Sequence, residues 1–281
     1  MATLTQYLRN ILEQKGAQLS NETRRIVLKE ALQAYTLDFI YNHPQYRLLN
    51  FYGGTCLHVI YGLNRLSEDL GLDNGAGVEI SGLENDLLAY FRAGIGYQPT
   101  AARSQVGAGG IRCTTLKFPI LAELDLTSDP SEALHLKVEI SPRPQVAEIR
   151  KTPVLVFGHS FVAQHFSLET MMAGKMLACL ERNFQKGGSG TSIKGRDFYD
   201  LLWFMQQRVQ PNVEKLARDG KVSYTLEQAM QALDEKVAGI RVADLALDLL
   251  PLFEQRSYIE AWLESFHENF RVYRAYYGVS G

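Results

Sequence analysis

Apolar residues recur at helical spacing in two early stretches, 3–14 and 21–41. In the second, Leu28, Leu32, Tyr35 and Phe39 fall on one face, the stripe of a helix that packs on a core. His43-Pro44 ends it, because a residue before proline is pushed out of the helical region. The spacing predicts a strand over 46–52, a Gly53-Gly54 turn, and a short helix over 55–61 closed by Gly62. A strand over 67–73, a loop over 75–82 and a helix over 83–93 follow. Two more strand-like runs, 111–126 and 134–141, flank Ser128-Asp129-Pro130-Ser131, so a hairpin is the economical reading. From Ser167 onward the pattern is helical, with helices expected over 168–184, 196–206, 226–237 and 259–277 and a glycine-rich loop at 186–191. The chain thus reads as α/β (α+β), an N-terminal domain over 1–150 and a C-terminal helical domain over 151–281.

Composition narrows this little. A length of 281 residues fits one large or two modest domains, and a net charge of −2 does not mark a general nucleic-acid binder. Scattered Arg24, Arg25, Lys29, Arg143, Arg150 and Lys151 fit solvated charge as well as an RNA path. Cys56, Cys113 and Cys179 are odd in number and far apart, which argues against a disulfide framework or a zinc knuckle and for reduced, buried thiols. No signal peptide is visible and no apolar run reaches membrane-spanning length, so the expectation is a cytoplasmic protein without a membrane partner.

Chemistry concentrates in three places. The first is Gly53-Gly54-Thr55 followed by Gly62, Arg65, Ser67, Asp69 and Asp73. Glycines let a backbone approach a phosphate, and N–H groups at a helix start attract negative charge. Asp69, Gly71 and Asp73 share one side of a strand, and carboxylates beside a phosphate site call for Mg²⁺. The second is Lys137-Val138-Glu139-Ile140-Ser141, with Asp125 on the expected partner strand as the competing carboxylate. The third is helical: Lys175 and Arg182 are seven apart and near one face, while Asp197 and Asp200, after Arg196, are three apart.

Gly53-Gly54-Thr55-x-Leu57, then Gly62, Arg65 and Ser67-x-Asp69, resembles the first motif of the nucleotidyltransferase superfamily in its AbiEii/AbiGii branch, the toxins of type IV toxin–antitoxin systems. Lys137 to Ser141 and Lys175-x6-Arg182 with Arg196-Asp197-x-x-Asp200-Leu201 extend the likeness to residues 45–205. It implies a nucleotidyltransferase-fold mixed sheet with flanking helices, followed by a C-terminal helical bundle. It further implies transfer of a nucleotidyl group from a nucleoside triphosphate to an acceptor hydroxyl, on tRNA in some relatives, with Mg²⁺ or Mn²⁺ as cofactor. A cognate antitoxin and a role in phage defence belong to the same picture. Asp69, Asp73 and Glu139 would hold the metal, and Asp69, Glu139, Lys175 and Asp197 would be catalytic. Gly53, Gly54, Thr55, Arg65, Ser67, Arg182 and Arg196 would bind nucleotide.

One position departs from the pattern: Gly71 stands where the branch has its second aspartate. Asp73 is roughly 6.6 Å further along the strand, too far to substitute unless a bulge at Gly71 brings it back. Three readings stay open: Asp73 takes over, the site binds nucleotide without efficient turnover, or the chain carries an inactivating change. A small-molecule nucleotidyltransferase is the alternative from outside the toxin class.

Overall fold

Alternating apolar and polar residues build the sheet on which the acidic residues stand. The computed structural model describes residues 3–15, 18–182 and 193–278; the loop expected at 186–191 lies outside them. The chain forms two compact units, Met1–Pro144 with Ile149–His165, and Gln145–Glu148 with Phe166–Gly281.

The first unit opens with helices α1 (Leu4–Lys15) and α2 (Asn21–Asn42) and continues through β1 (Asn50–Tyr52), α3 (Gly54–Tyr61), β2 (Asp69–Asp73), α4 (Leu83–Ala89), β3 (Ala101–Val106), β4 (Arg112–Phe118), β5 (Leu134–Ser141), β6 (Ile149–Val156) and β7 (His159–Phe166). The described strands form one mixed sheet in the order β3-β4-β5-β2-β1-β7-β6. β2 runs antiparallel to β1 and parallel to β5, while β4 is antiparallel to both β3 and β5. Leu134, Leu136, Val138 and Ile140 of β5 are buried, as are Leu70 and Leu72 of β2 and Leu116 and Phe118 of β4. The intervening side chains point to the other face.

Helix α2 packs against β5 and buries far more than one stripe, including polar Glu30, Gln33 and Thr36. Ser20 caps its start, accepting the Thr23 N–H at 3.1 Å. Two of its polar groups grip one residue at the approach to β2. Gln33 Nε2 donates to the Ser67 carbonyl at 2.9 Å, and Glu30 Oε1 accepts the Ser67 N–H at 3.0 Å.

Several elements differ from the sequence expectation. The strand expected over 46–52 is short, because the chain turns after Pro44: Tyr46–Leu48 is a 3₁₀ turn and only Asn50–Tyr52 pairs. The helix expected over 83–93 stops at Ala89 and widens into a π turn over Tyr90–Gly94. The strand expected over 111–126 ends at Phe118, before Pro119, and Asp125 sits in a turn at φ 57°. β3 went unread because it is a largely exposed edge. The hairpin of β6 and β7 also escaped; both residues of its turn, Phe157 and Gly158, have positive φ (47° and 79°), as a type I′ turn requires. Both strands group with the first unit, so the boundary expected at 150/151 falls at the start of β6.

The second unit comprises helices α5 (Leu168–Glu181), α6 (Gly195–Gln206), α7 (Val213–Arg218), α8 (Leu226–Ala238), α9 (Val242–Leu249), α10 (Arg256–Glu264) and α11 (Phe266–Arg274) among the described residues. α7 and α9 have no counterpart in the sequence expectation. The helix expected over 259–277 breaks at Ser265, whose hydroxyl bonds back to the Ala261 and Trp262 carbonyls, each at 3.1 Å. No described helix is long and apolar enough to cross a membrane.

Replacing Gln33 by leucine keeps the volume and strips the Ser67 carbonyl of its donor. Stability is expected to fall by about 1–3 kcal/mol, the cost of an unpaired buried acceptor. The readout is a lower urea midpoint at unchanged slope; a shift below about 0.5 kcal/mol, within the noise of surface substitutions, would contradict the role assigned to this contact.

Candidate active site

β1 delivers the chain to Gly53, whose φ of 84° and ψ of −166° suit glycine and little else. Gly54 then opens α3. A Cβ on Gly54 would lie 2.6 Å from Arg65 Nη2 and 3.1 Å from Ser67 Oγ, so the missing side chain makes room for both. Gly62 closes the helix in the left-handed region, its N–H returning to the His58 and Leu57 carbonyls.

Thr55 and Ser67 are buried and brace the acidic strand. The Thr55 hydroxyl lies 2.6 Å from the Asp69 carbonyl and 2.8 Å from Ser67 Oγ. Thr55 is the donor in both contacts, its hydroxyl hydrogen shared between the Asp69 carbonyl and Ser67 Oγ. Arg65 is likewise buried, with Nη1 donating to the Leu66 carbonyl at 2.9 Å. These three residues therefore form the wall behind the glycine turn.

The strand register fixes the carboxylates. Gly71 lies opposite Glu139 and Asp69 opposite Lys137, so Asp69, Gly71, Lys137 and Glu139 stand together on the open face of the sheet. Cys113 pairs with Glu139 from the other side. Its thiol pKa is raised, first by burial; Thr115 and Lys137 oppose this, while Glu139 and Asp69 add to it. One sulfur thus feels both carboxylates.

Asp73 is differently placed. It is 2% exposed, and its Oδ2 accepts from Asn50 Nδ2 and from the Gly75 N–H, each at 3.0 Å. Pairing through Gly71 is unbroken on both sides, so the strand has no bulge to bring Asp73 back towards Asp69. Among the described residues no three acidic, histidine or cysteine side chains are grouped to hold a metal. Asp69 and Glu139 remain as a pair, and a pair suffices for Mg²⁺ when phosphate oxygens complete the shell. Asp125 is no competitor: its side chain is 84% exposed, off the sheet, and paired with Arg9 at 3.2 Å. At Gly71 a Cβ would meet the Tyr52 carbonyl at 3.0 Å and the Tyr52 ring at 3.6–3.7 Å.

In the helical unit Ser167 caps α5, and α5 carries Lys175 against α6. Lys175 Nζ lies 2.8 Å from Asp197 Oδ1 and 2.8 Å from Asp200 Oδ2. The other oxygen of Asp197 receives Arg182 Nη1 at 3.0 Å. Both aspartates are buried, at 2% and 0% exposure. Burial alone would raise the Asp197 pKa, but Lys175 and Arg182 outweigh it and hold the group at about 2. Arg196 is committed elsewhere: its guanidinium grips Asp248 at 2.9–3.3 Å and its backbone N–H adds a bond of 2.9 Å. Asp248 lies on α9, which sequence reasoning missed. The clue was the i, i+4 pair Asp244 and Asp248 in a leucine-rich run.

The sequence matches the family model for the nucleotidyl transferase AbiEii toxin of type IV toxin–antitoxin systems over residues 40–274. Among solved structures, a candidate nucleotidyltransferase from H. pylori is similar at a TM-score of 0.51 and 20% identity, covering 88% of this chain and 92% of that one. An antigenic nucleotidyltransferase-like protein from Paracoccidioides brasiliensis aligns at a TM-score of 0.39 and 17% identity, over 87% of this chain and 100% of that one. No curated protein matches at a significant level. The mixed sheet and its helices are thus the architecture of a nucleotidyltransferase-like fold.

Because the folded pKa of Asp197 lies below the ordinary carboxylate value of 3.8, its pairing stabilises the fold fully above about pH 4 and is lost as pH falls towards 2. The contribution is on the order of 2 kcal/mol. Thermal melts between pH 5 and pH 2 are expected to flatten in Asp197→Asn relative to the parent. Parallel curves would show that Asp197 titrates normally.

Proposed function

This chain belongs to the AbiEii family of nucleotidyl transferase toxins of type IV toxin–antitoxin systems, and from that premise we propose that it transfers a nucleotidyl group from a nucleoside triphosphate to a hydroxyl of tRNA. The observation that carries the reading is the register that sets Asp69 and Glu139 on one open sheet face, on the strand that Thr55 of the glycine turn braces. Asp69 and Glu139 are the residues to hold Mg²⁺ or Mn²⁺. When bound, the ion would neutralise the triphosphate and favour ionisation of the attacking hydroxyl. The backbone N–H groups at Gly53 and Gly54 would take phosphate oxygens at the helix start. Thr55, Ser67 and Arg65 would shape that cradle from behind.

Lys175 is proposed as the cation that stabilises charge on the leaving pyrophosphate, with Asp197 orienting it and Asp200 completing its pairing. Arg182, with more than half of its side chain exposed, is proposed to contact nucleotide. Arg196, proposed for nucleotide from its sequence pattern, would act mainly by anchoring α6 to Asp248. An antitoxin is the expected protein partner.

The test incubates purified protein with labelled nucleoside triphosphates, Mg²⁺ and total tRNA. Label on RNA is expected, with Asp69→Asn and Lys175→Ala each lowering the rate by about 10²-fold or more, as loss of a preorganised charge does. Equal rates in parent and both variants would sink the assignment. Transfer to a small hydroxylated molecule with none to RNA would move the acceptor outside the toxin class.

Gly71 favours a second reading, a site that holds nucleotide with slow turnover. The Tyr52 carbonyl and ring already lie against the position where the family's second aspartate would begin. Gly71→Asp is expected to raise transfer. If it does not, Gly71 does not limit the rate. Expression in a bacterial host is expected to arrest growth more strongly with Gly71→Asp than with the parent sequence.

A further inference from the structure

The helical unit contains an open cavity of about 560 Å³ beside the C-terminal half of α5 and the loop after α7. Among the described residues, four cations, Arg182, Lys194, Lys215 and Lys221, line it with two carboxylates, Glu181 and Asp219. Both carboxylates are committed to the protein. Asp219 Oδ2 takes Lys215 Nζ at 2.6 Å and the Val146 N–H at 3.0 Å. Glu181 Oε1 accepts the backbone N–H groups of Lys221 at 2.7 Å and of Val222 at 3.4 Å.

Lys215 is 3% exposed and also donates to Gln145 Oε1 at 3.0 Å and the Val146 carbonyl at 3.4 Å. It supplies fixed positive charge at the floor rather than spare donors. Gly174 keeps that floor open, since a Cβ there would come within 3.3 Å of Lys215 Cε. Arg182 gives Nη1 to Asp197, and its planar guanidinium has the fork geometry suited to oxyanions. Lys194 has its pKa lowered, first by burial and then by Arg182 and Arg196, as expected where positive charge is in excess.

We propose that this cavity binds a phosphate-bearing ligand, its oxyanion held by Arg182, Lys194 and Lys221 above the buried Lys215. The volume lies within the roughly 300–1,000 Å³ typical of small-molecule pockets. Four cations against two committed carboxylates leave the described lining net positive. The proposal shares Arg182 with the reading above but needs no transfer chemistry, so it stands or falls on binding alone. The phosphate is the end of a free nucleotide or part of an RNA backbone, and the experiment separates these.

Titration calorimetry with pyrophosphate on the full chain, without divalent ions, tests it. Binding is expected, weakened at least tenfold in Lys194→Ala/Lys221→Ala and unchanged in Lys151→Ala, which removes an exposed charge from the first unit. Lys221→Glu, at an exposed position, repeats the test should the double variant fail to fold by circular dichroism. A short RNA hairpin that displaces pyrophosphate, and is weakened by the same variants, assigns the site to an RNA phosphate. Displacement by nucleoside triphosphate but not by RNA assigns it to free nucleotide. No pyrophosphate binding by the parent, or a folded variant that binds as the parent does, overturns the proposal.

Discussion

Ser67 is where the first unit is tied together. Its N–H goes to Glu30 and its C=O to Gln33, about one helical turn apart on α2, while its side chain reaches Thr55 on α3. All four residues are buried, and hydrogen bonds in such a setting are strong when made and costly when missing. Three elements distant in sequence are therefore referenced to one residue, two positions before Asp69. The glycine turn, the bracing threonine and the acidic strand take their mutual positions from this knot. The carboxylates on the open face inherit their placement from contacts that no solvent touches.

The helical unit solves a different problem. Lys175 is held by two carboxylates that are themselves sealed from water, and Arg182 adds a second cation to Asp197. Removing Lys175 takes the shared cation from two buried carboxylates at once, and breaking a buried pair costs more than the intact pair gains. Arg196 with Asp248 clamps the start of α6 to α9, and Gly195 permits it, since a Cβ there would fall 2.6 Å from the Leu245 carbonyl. The array thus keeps its geometry from a packed helical frame.

Much of this was legible in the chain. The glycine turn, α3 and the acidic strand follow from periodicity and spacing, each a local pattern, while the Lys175–Asp197–Asp200 set was implied by the family resemblance. What escaped reading is non-local. Glu30 and Gln33 look like ordinary polar positions on a helix until Ser67 is brought against them. The hairpin of β6 and β7 has little apolar alternation to announce it, with Leu155 and Val162 largely exposed. Asp73 shared a face with Asp69 in the sequence, yet Asn50 and the Gly75 amide claim its carboxylate. Strand position states which side a group occupies; only the neighbours decide whether it is available.

β2 is five residues long and is read from both sides, antiparallel by β1 and parallel by β5. Side chains alternate, so a slip of one residue would drive Asp69 into the core and bring Leu70 to the surface. The stretch between Gly62 and Asp69 acts as a spacer of set length, anchored at one end by a helix cap and at the other by paired strands. Length in that spacer therefore matters alongside its letters, because Ser67 within it must reach Glu30, Gln33 and Thr55 while the next residues enter the paired strand in register.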